Sequence, residues 1–293
     1  MAIFVQGTAS PAADQWLETA AVGPVPKSIR DQLGLKDFYV KHVDAMGIPV
    51  MGSAQVSDGA VIEAAYLIQC MLQNVPEVAG RIAKNRVRVA VMSCAERTRM
   101  VPEHADLDAK FDKRARGLGA TSFRPASSCA EENLLGCTGD PYRLENVLVH
   151  EFSHTIHLMG LGKNFDKELK QTYNHAMATR KPDGTMLWMD AVRDGQLIPT
   201  YASTNYEEYW AEGVQAYFGC NWPEPDVSHN GINGRDQLAE YDRDLHDLID
   251  RTFNFNLWNY IRPKDRPNQP HLTGPGTGSL AFAWTAADLA LDA

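Results

Sequence analysis

The sequence contains no apolar run approaching the roughly 18 residues that a membrane-spanning helix needs. Its first residues, from Met1 to Trp16, have neither the basic opening nor the long apolar stretch of a signal peptide. Positive charge is in deficit: 28 Lys and Arg stand against 37 Asp and Glu, for a net charge of -9 and a pI near 5.5. That balance argues against a phosphate-tracking surface, so no nucleic-acid partner is expected. Cysteine is scarce and odd in number, five in all, and no CxxC or Cys/His ribbon spacing occurs. Structural zinc held by thiolates is therefore not expected, and one thiol at least stays unpaired. Cys129 and Cys137 lie close together in a loop-like stretch and are candidates for a local bridge in an oxidising compartment. Internal repeats and low-complexity tracts are also missing, which removes solenoids, propellers and disordered arrays.

What is present is a chain of 293 residues, 44% hydrophobic and 22% charged, long enough to bury a large core. Residues 1–40 are rich in Pro, Gly and polar side chains and read as an extended segment wrapping the body. From Gly47 the run GIPVMGSAQV reads as a strand, and Ser57 suits the cap of a helix running to about Asn74, with Pro76 as punctuation. Arg86 to Cys94 alternates and is β-branched, which predicts a second strand. Residues 109–133 read as loop plus a short strand. Helices are then expected over Pro141 to Met159, Asp166 to Thr179, Asn205 to Phe218 and Arg235 to Phe253. The expected class is α+β. A catalytic domain over 41–272 divides into an α+β lobe at about 41–140 and a helical lobe at about 141–272, followed by a tail over 273–293.

The segment that carries chemistry runs from Asp140 to Gly160, DPYRLENVLVHEFSHTIHLMG. Asp140 suits an N-cap, Pro141 the first helical position and Gly160 the stop. At about 100° per residue, Leu148, Phe152, Ile156 and Met159 share one face, and His150, His154 and His157 share the opposite one. His150 and His154, one turn apart, can converge on one metal ion, and Glu151 then lies beside water polarised by that ion. His150-Glu151-x-x-His154 is thus read as a zinc site with a carboxylate placed to take and return a proton. With nine histidines, a chance HExxH arises on the order of 0.01 times per chain.

Catalytic zinc needs a third protein ligand. The extended metzincin pattern requires Gly at 157 and His at 160, whereas this chain has His157 and Gly160. His157 is on the right stripe, but three ligands from one straight helix cannot surround a tetrahedral ion, so a supporting or packed role suits it better. Downstream, Thr204 and Glu207 form a capping-box pair, and Glu208 and Glu212 stand one turn apart beside Tyr209, Trp210, Val214 and Phe218. Zinc for Glu208 and the free N–H of a zinc-binding histidine for Glu212 would satisfy both carboxylates. A solvated acidic face is the competing reading of the same pattern.

On HEFSH and on the Tyr-x-x-Thr-Asn-x-x-Glu-x-x-x-Glu pattern from Tyr201 to Glu212, the sequence resembles the gluzincin metallopeptidases. It is most similar to the catalytic domain of the anthrax lethal factor family, which includes the Pro-Pro endopeptidases. The resemblance covers about a third of the chain, from about Ala120 to Phe218. It implies a zincin-like fold, zinc held by His150, His154 and Glu208, Glu151 as general base, and Glu212 orienting a zinc histidine. It also implies that Tyr201, otherwise an ordinary turn aromatic, donates to the tetrahedral oxyanion. An edge strand upstream of the HExxH helix would bind a peptide or protein substrate by strand addition, here placed at Ala120 to Ser128. Peptidases of this kind are mostly exported, which implies a secreted or extracytoplasmic location. The N-terminal half does not resemble the family's translocation or docking domains. The same motifs also accommodate hydrolysis of a non-peptide amide or a modified peptide. A non-catalytic zinc-binding module is the reading from another class, and Glu151 and Tyr201 argue against it.

Overall fold

The computed structural model describes residues 10–266, 269–273 and 280–292. It is a mixed α/β structure, 47% helical and 13% strand, so the sheet is a minor wall on which helices pack. Ser10 caps α1 (Pro11–Leu17), accepting from the Ala13 N–H, and β1 (Gly23–Pro24) and α2 (Lys27–Leu33) follow. The stretch expected to be extended is therefore partly helical. β2 (Lys41–Ala45) and β3 (Ile48–Gly52) pair antiparallel with Ala45 opposite Ile48. Met46 and Gly47 alone make the turn, both at positive φ, 56° and 85°, the mirror-image geometry that suits a two-residue hairpin. The sequence reading missed β2, whose five residues have only two buried positions.

As expected, Ser57 caps α3 (Asp58–Leu72) through the Ala60 N–H. This helix is apolar nearly all round and buried nearly all round, packed on β2 and β3 and touching the helix that carries HExxH. Pro76 starts α4 (Pro76–Lys84), because proline at the first helical position lacks only an N–H that has no partner there. β4 (Arg88–Met92), the short α5 (Phe111–Arg114), β5 (Ala126–Ala130) and α6 (Glu131–Leu135) follow. The sheet runs β1-β2-β3-β4-β5, with β3, β4 and β5 mutually parallel and every residue of these three strands buried.

The HExxH helix is shorter than its flanking signals suggest. α7 spans Val147–Thr155 and its cap is Asn146, whose side chain accepts from the Val149 N–H. Asp140 instead accepts from the Tyr142 N–H and the buried Asn133 amide, and the same amide donates to the carbonyls of Tyr142 and Glu145. Asn133 thus holds residues 140–146 as a turn. After Thr155 the helix widens into a π turn, Ile156–Gly160, whose last carbonyls accept from Arg81 of α4 and from Asn85, its C-cap. A Cβ at Gly160 would meet Val78 Cγ1 at 2.7 Å, so only glycine lets the two helices approach there.

The remaining elements are α8 (Lys163–Ala178), the hairpin β6 (Ala191–Arg193) and β7 (Gln196–Ile198), and a 3-10 turn at Tyr201–Thr204 leading into α9 (Tyr206–Tyr217). Asn205, not the Thr204/Glu207 pair, caps α9: it is extended at φ -164 and accepts from the N–H groups of Glu207 and Glu208, while Thr204 is still in the preceding turn. The expected helix over 235–253 is two, α10 (Arg235–Tyr241) and α11 (Arg243–Thr252). Buried Asp242 breaks it by capping α11 and accepting from Trp188 Nε1 and Tyr209 Oη at 2.8 and 2.7 Å. After α12 (Pro270–Thr273), the described part of the tail pairs Ala281 with Thr138 and closes with α13 (Ala286–Leu289) and a 3-10 turn at Ala290–Asp292. All five thiols are free. The Cys129–Cys137 bridge does not form: Cys129 is fully buried in β5 and the Cys137 thiol faces Cys94 instead.

Candidate metal centre

Two helices meet to build the site. Leu148, Phe152, Ile156 and Met159 are buried as their spacing predicts, which turns His150, Glu151 and His154 of α7 toward α9 and a cleft of about 550 Å³. Trp210 of α9 locks the pair, its Nε1 donating to the Ser153 carbonyl at 2.9 Å. From α9, Glu208, Glu212 and Gln215 face α7 at successive turns.

His150 Nε2, His154 Nε2 and Glu208 Oε2 converge. The two imidazole nitrogens are 3.2 Å apart, and the carboxylate oxygen is 3.1 Å from one and 3.4 Å from the other. Ligand atoms at 2.0–2.1 Å from a tetrahedral zinc stand about 3.3 Å from one another. Two imidazoles and a carboxylate with these separations match that donor set, so the residues fit the ion that the motif implies. His150 is oriented from behind: its Nδ1 lies 2.8 Å from Gln215 Oε1 and 3.5 Å from Glu212 Oε1. The amide of Gln215 is the nearer partner, which assigns the ring proton to Nδ1 and leaves the Nε2 lone pair for a metal.

Charge follows the same arrangement. Burial alone would push the His150 imidazole down, but the hydrogen bond with Glu208 and the carboxylates of Glu151 and Glu212 raise it to about 10 without a metal. Glu208 is pushed up by burial and pulled further down by both imidazoles, ending well below the usual carboxylate range. Glu151 and Glu212 are raised, in each case first by burial. Tyr201 is raised by burial and by Glu208, which its hydroxyl faces.

Tyr201 stands at the cleft rim, 42% exposed, its ring centroid 6.2 Å from that of His150. A backbone bond from its N–H to the Ser228 carbonyl, 2.7 Å, fixes the turn that presents it. His157 does not join the cluster. It is buried in the π turn, with Nε2 3.2 Å from Asp166 Oδ1 and its ring edge-on to Phe165 and Tyr206.

The expected substrate strand is displaced. β5 is the sheet edge, but its outer side is covered by Leu118, which exchanges both backbone bonds with Ser128. Residues 114–119 therefore line the cleft, and of the expected 120–128 stretch Thr121 joins them. Gly117 and Gly119 make that passage fit: a Cβ on the first would meet Val147 Cγ1 at 2.5 Å, and on the second His154 Cβ at 2.6 Å. Just before them, Arg116 is fully buried against Glu132. Sequence reasoning missed Gly117, Gly119, Gln215 and His229. For Gln215 the continuation of the Glu208, Glu212 stripe was the available signal.

The chain matches no family model and no curated protein. Among the described residues no helix is long and apolar enough to cross a membrane.

Proposed function

We propose that the protein is a zinc-dependent metallopeptidase of gluzincin type with a zincin-like fold. The observation that carries this reading is the convergence of His150, His154 and Glu208 within 3.4 Å of one another, beside Glu151, at the wall of an open cleft. His150, His154 and Glu208 would hold the ion. When bound, zinc supplies Lewis acidity that polarises a carbonyl and acidifies water. Glu151 accepts the proton of the attacking water at its carboxylate and delivers it to the leaving nitrogen, for which a carboxyl raised by burial is suited. Tyr201, kept protonated by its surroundings, donates its phenolic hydrogen to the charge that develops on the former carbonyl oxygen. The 114–119 backbone offers the cleft side on which an extended peptide would lie.

The test pairs adjacent carboxylates. Glu208→Ala is expected to lose bound zinc and hydrolysis of a mixed peptide pool together. Glu207→Ala, whose carboxylate accepts from Tyr206 at the start of α9, is expected to retain zinc. Equal zinc content in the two variants would sink the ligand assignment.

A further inference from the structure

Beside the catalytic cluster, on the Nδ1 side of His150, three further groups converge from three different elements. They are Glu145 in the turn before α7, Glu212 on α9, and His229 in the loop before α10, and their ligand atoms lie within 4.8 Å of one another. Glu212 is 3% exposed, and the groups facing it are His150, His229, Glu145 and Asn221. Two carboxylates are thus drawn together at a partly buried point, an arrangement that calls for a cation.

The imidazole is built as a ligand. His229 lies flat on Trp222, the rings 5.6 Å apart and 9° from parallel, and Nδ1 is 3.0 Å from Asp226 Oδ1. Asp226 is itself held as an anion by the N–H groups of Ser228 and His229. With Nδ1–H donated to Asp226, the lone pair is on Nε2, which faces Glu212 Oε2 at 4.0 Å. A carboxylate behind a histidine is the arrangement that orients metal-binding imidazoles. Gln215 already takes His150 Nδ1, which leaves the Asn221 amide, donating to Oε2 at 3.1 Å, as the close partner of Glu212, and the other end of the Gln215 amide reaches Glu145 Oε2 at 3.2 Å.

We infer that Glu145, Glu212 and His229 form a second, weaker site for a divalent transition metal such as Zn2+. The inference rests on the metal reading of the first site. Three atoms within 4.8 Å have a common centre no more than about 2.8 Å from each, so a contraction of about 0.6 Å gives the 2.0–2.2 Å of zinc bonds. The first cluster needs almost none, which orders the two affinities. Glu212 Oε1 is also 3.5 Å from His150 Nδ1, so a cation held at the second site would act on the first through Glu212.

The test titrates the chelator-stripped full chain with Zn2+ alone, by calorimetry, with stoichiometry read by native mass spectrometry. Two ions per chain are expected, the second bound at least tenfold more weakly. Glu145→Gln combined with His229→Gln removes the weaker event and keeps the tighter one, and Glu208→Gln does the reverse. Asp226→Asn, at a more exposed position, weakens only the second event, by about 10–100-fold, and stands in if the double variant does not fold. A single ion in the wild type, two ions in the double variant, or loss of the tight event in the double variant overturns the inference. A tight event that survives Glu208→Gln overturns the reading of the first site, and the second falls with it.

Discussion

A single methyl group at Gly119 is the sharpest structural probe of the centre. The Cβ of Gly119→Ala would stand 2.6 Å from His154 Cβ and 3.1 Å from the Glu151 carbonyl oxygen. Neither neighbour is the end of a flexible side chain: one is the root of the His154 side chain and the other is helix backbone. Either α7 or the 117–119 strip must move by several tenths of an ångström, and overpacking of this kind costs about 1–3 kcal/mol. In a chain of this size that is a fall in melting temperature of about 2–6 °C. Displacement of His154 also separates the donor atoms, so zinc retention against a chelator is expected to drop, and a shift approaching 1 Å at Glu151 costs roughly 100-fold in rate. The assay is thermal unfolding with and without zinc, beside a chelator competition. Gly80→Ala, in an exposed part of α4 with nothing within 4 Å of the new Cβ, is the control and is expected to be neutral or slightly stabilising. A Gly119→Ala protein with the melting temperature and zinc retention of the wild type would refute the close passage of 117–119 over the HExxH helix.

Three further outcomes are expected. Tyr201→Phe should lower kcat by about 100-fold or more while zinc affinity stays unchanged, since in the proposed mechanism the hydroxyl serves the developing charge and not the ion; weakened zinc binding would contradict that role. Gln215→Leu should weaken zinc binding by about 10–100-fold, because His150 loses its 2.8 Å partner at Nδ1; unchanged affinity in a chelator competition would shift the orienting role to Glu212. Asp288, held by Arg97 at 2.7 and 2.8 Å, has its carboxyl lowered from an ordinary 3.8 to about 2. A lowered folded value gives stability that is present above pH 4 and lost as the pH falls toward 2, about 2 kcal/mol in all. Denaturant unfolding between pH 4 and pH 2 should therefore show a shallower decline for Asp288→Asn than for the wild type, and equal slopes would remove the pairing from the stability of the tail.

What could be read in advance was periodicity. The apolar face of α7, the convergence of His150 with His154, the capping of α3 by Ser57 and the presence of β4 all depend on neighbours within a few positions. What escaped depends on residues far apart in sequence. Asp140 has the chemistry of an N-cap, but Asn133 claims it and moves the cap to Asn146. Asp242 sits inside an amphipathic helical pattern, and only Trp188 and Tyr209, brought from other elements, explain why the helix stops there. His157 shares a stripe with His150 on an ideal helix, and the π turn places it against Asp166. The need for glycine at 117 and 119 is set by Val147, Glu151 and His154, so two glycines in a loop carried no visible meaning by themselves.

The most direct measurement is a mass-spectrometric map of new peptide termini in a diverse peptide pool, comparing zinc-loaded wild type with the Glu151→Gln protein carrying the same zinc. Glu151 is not among the three converging donors, so the variant is expected to keep its metal and lose cleavage, and new termini are expected only with the wild type. Equal cleavage by both proteins, or none by a wild type of verified zinc content, would contradict peptide hydrolysis by this centre.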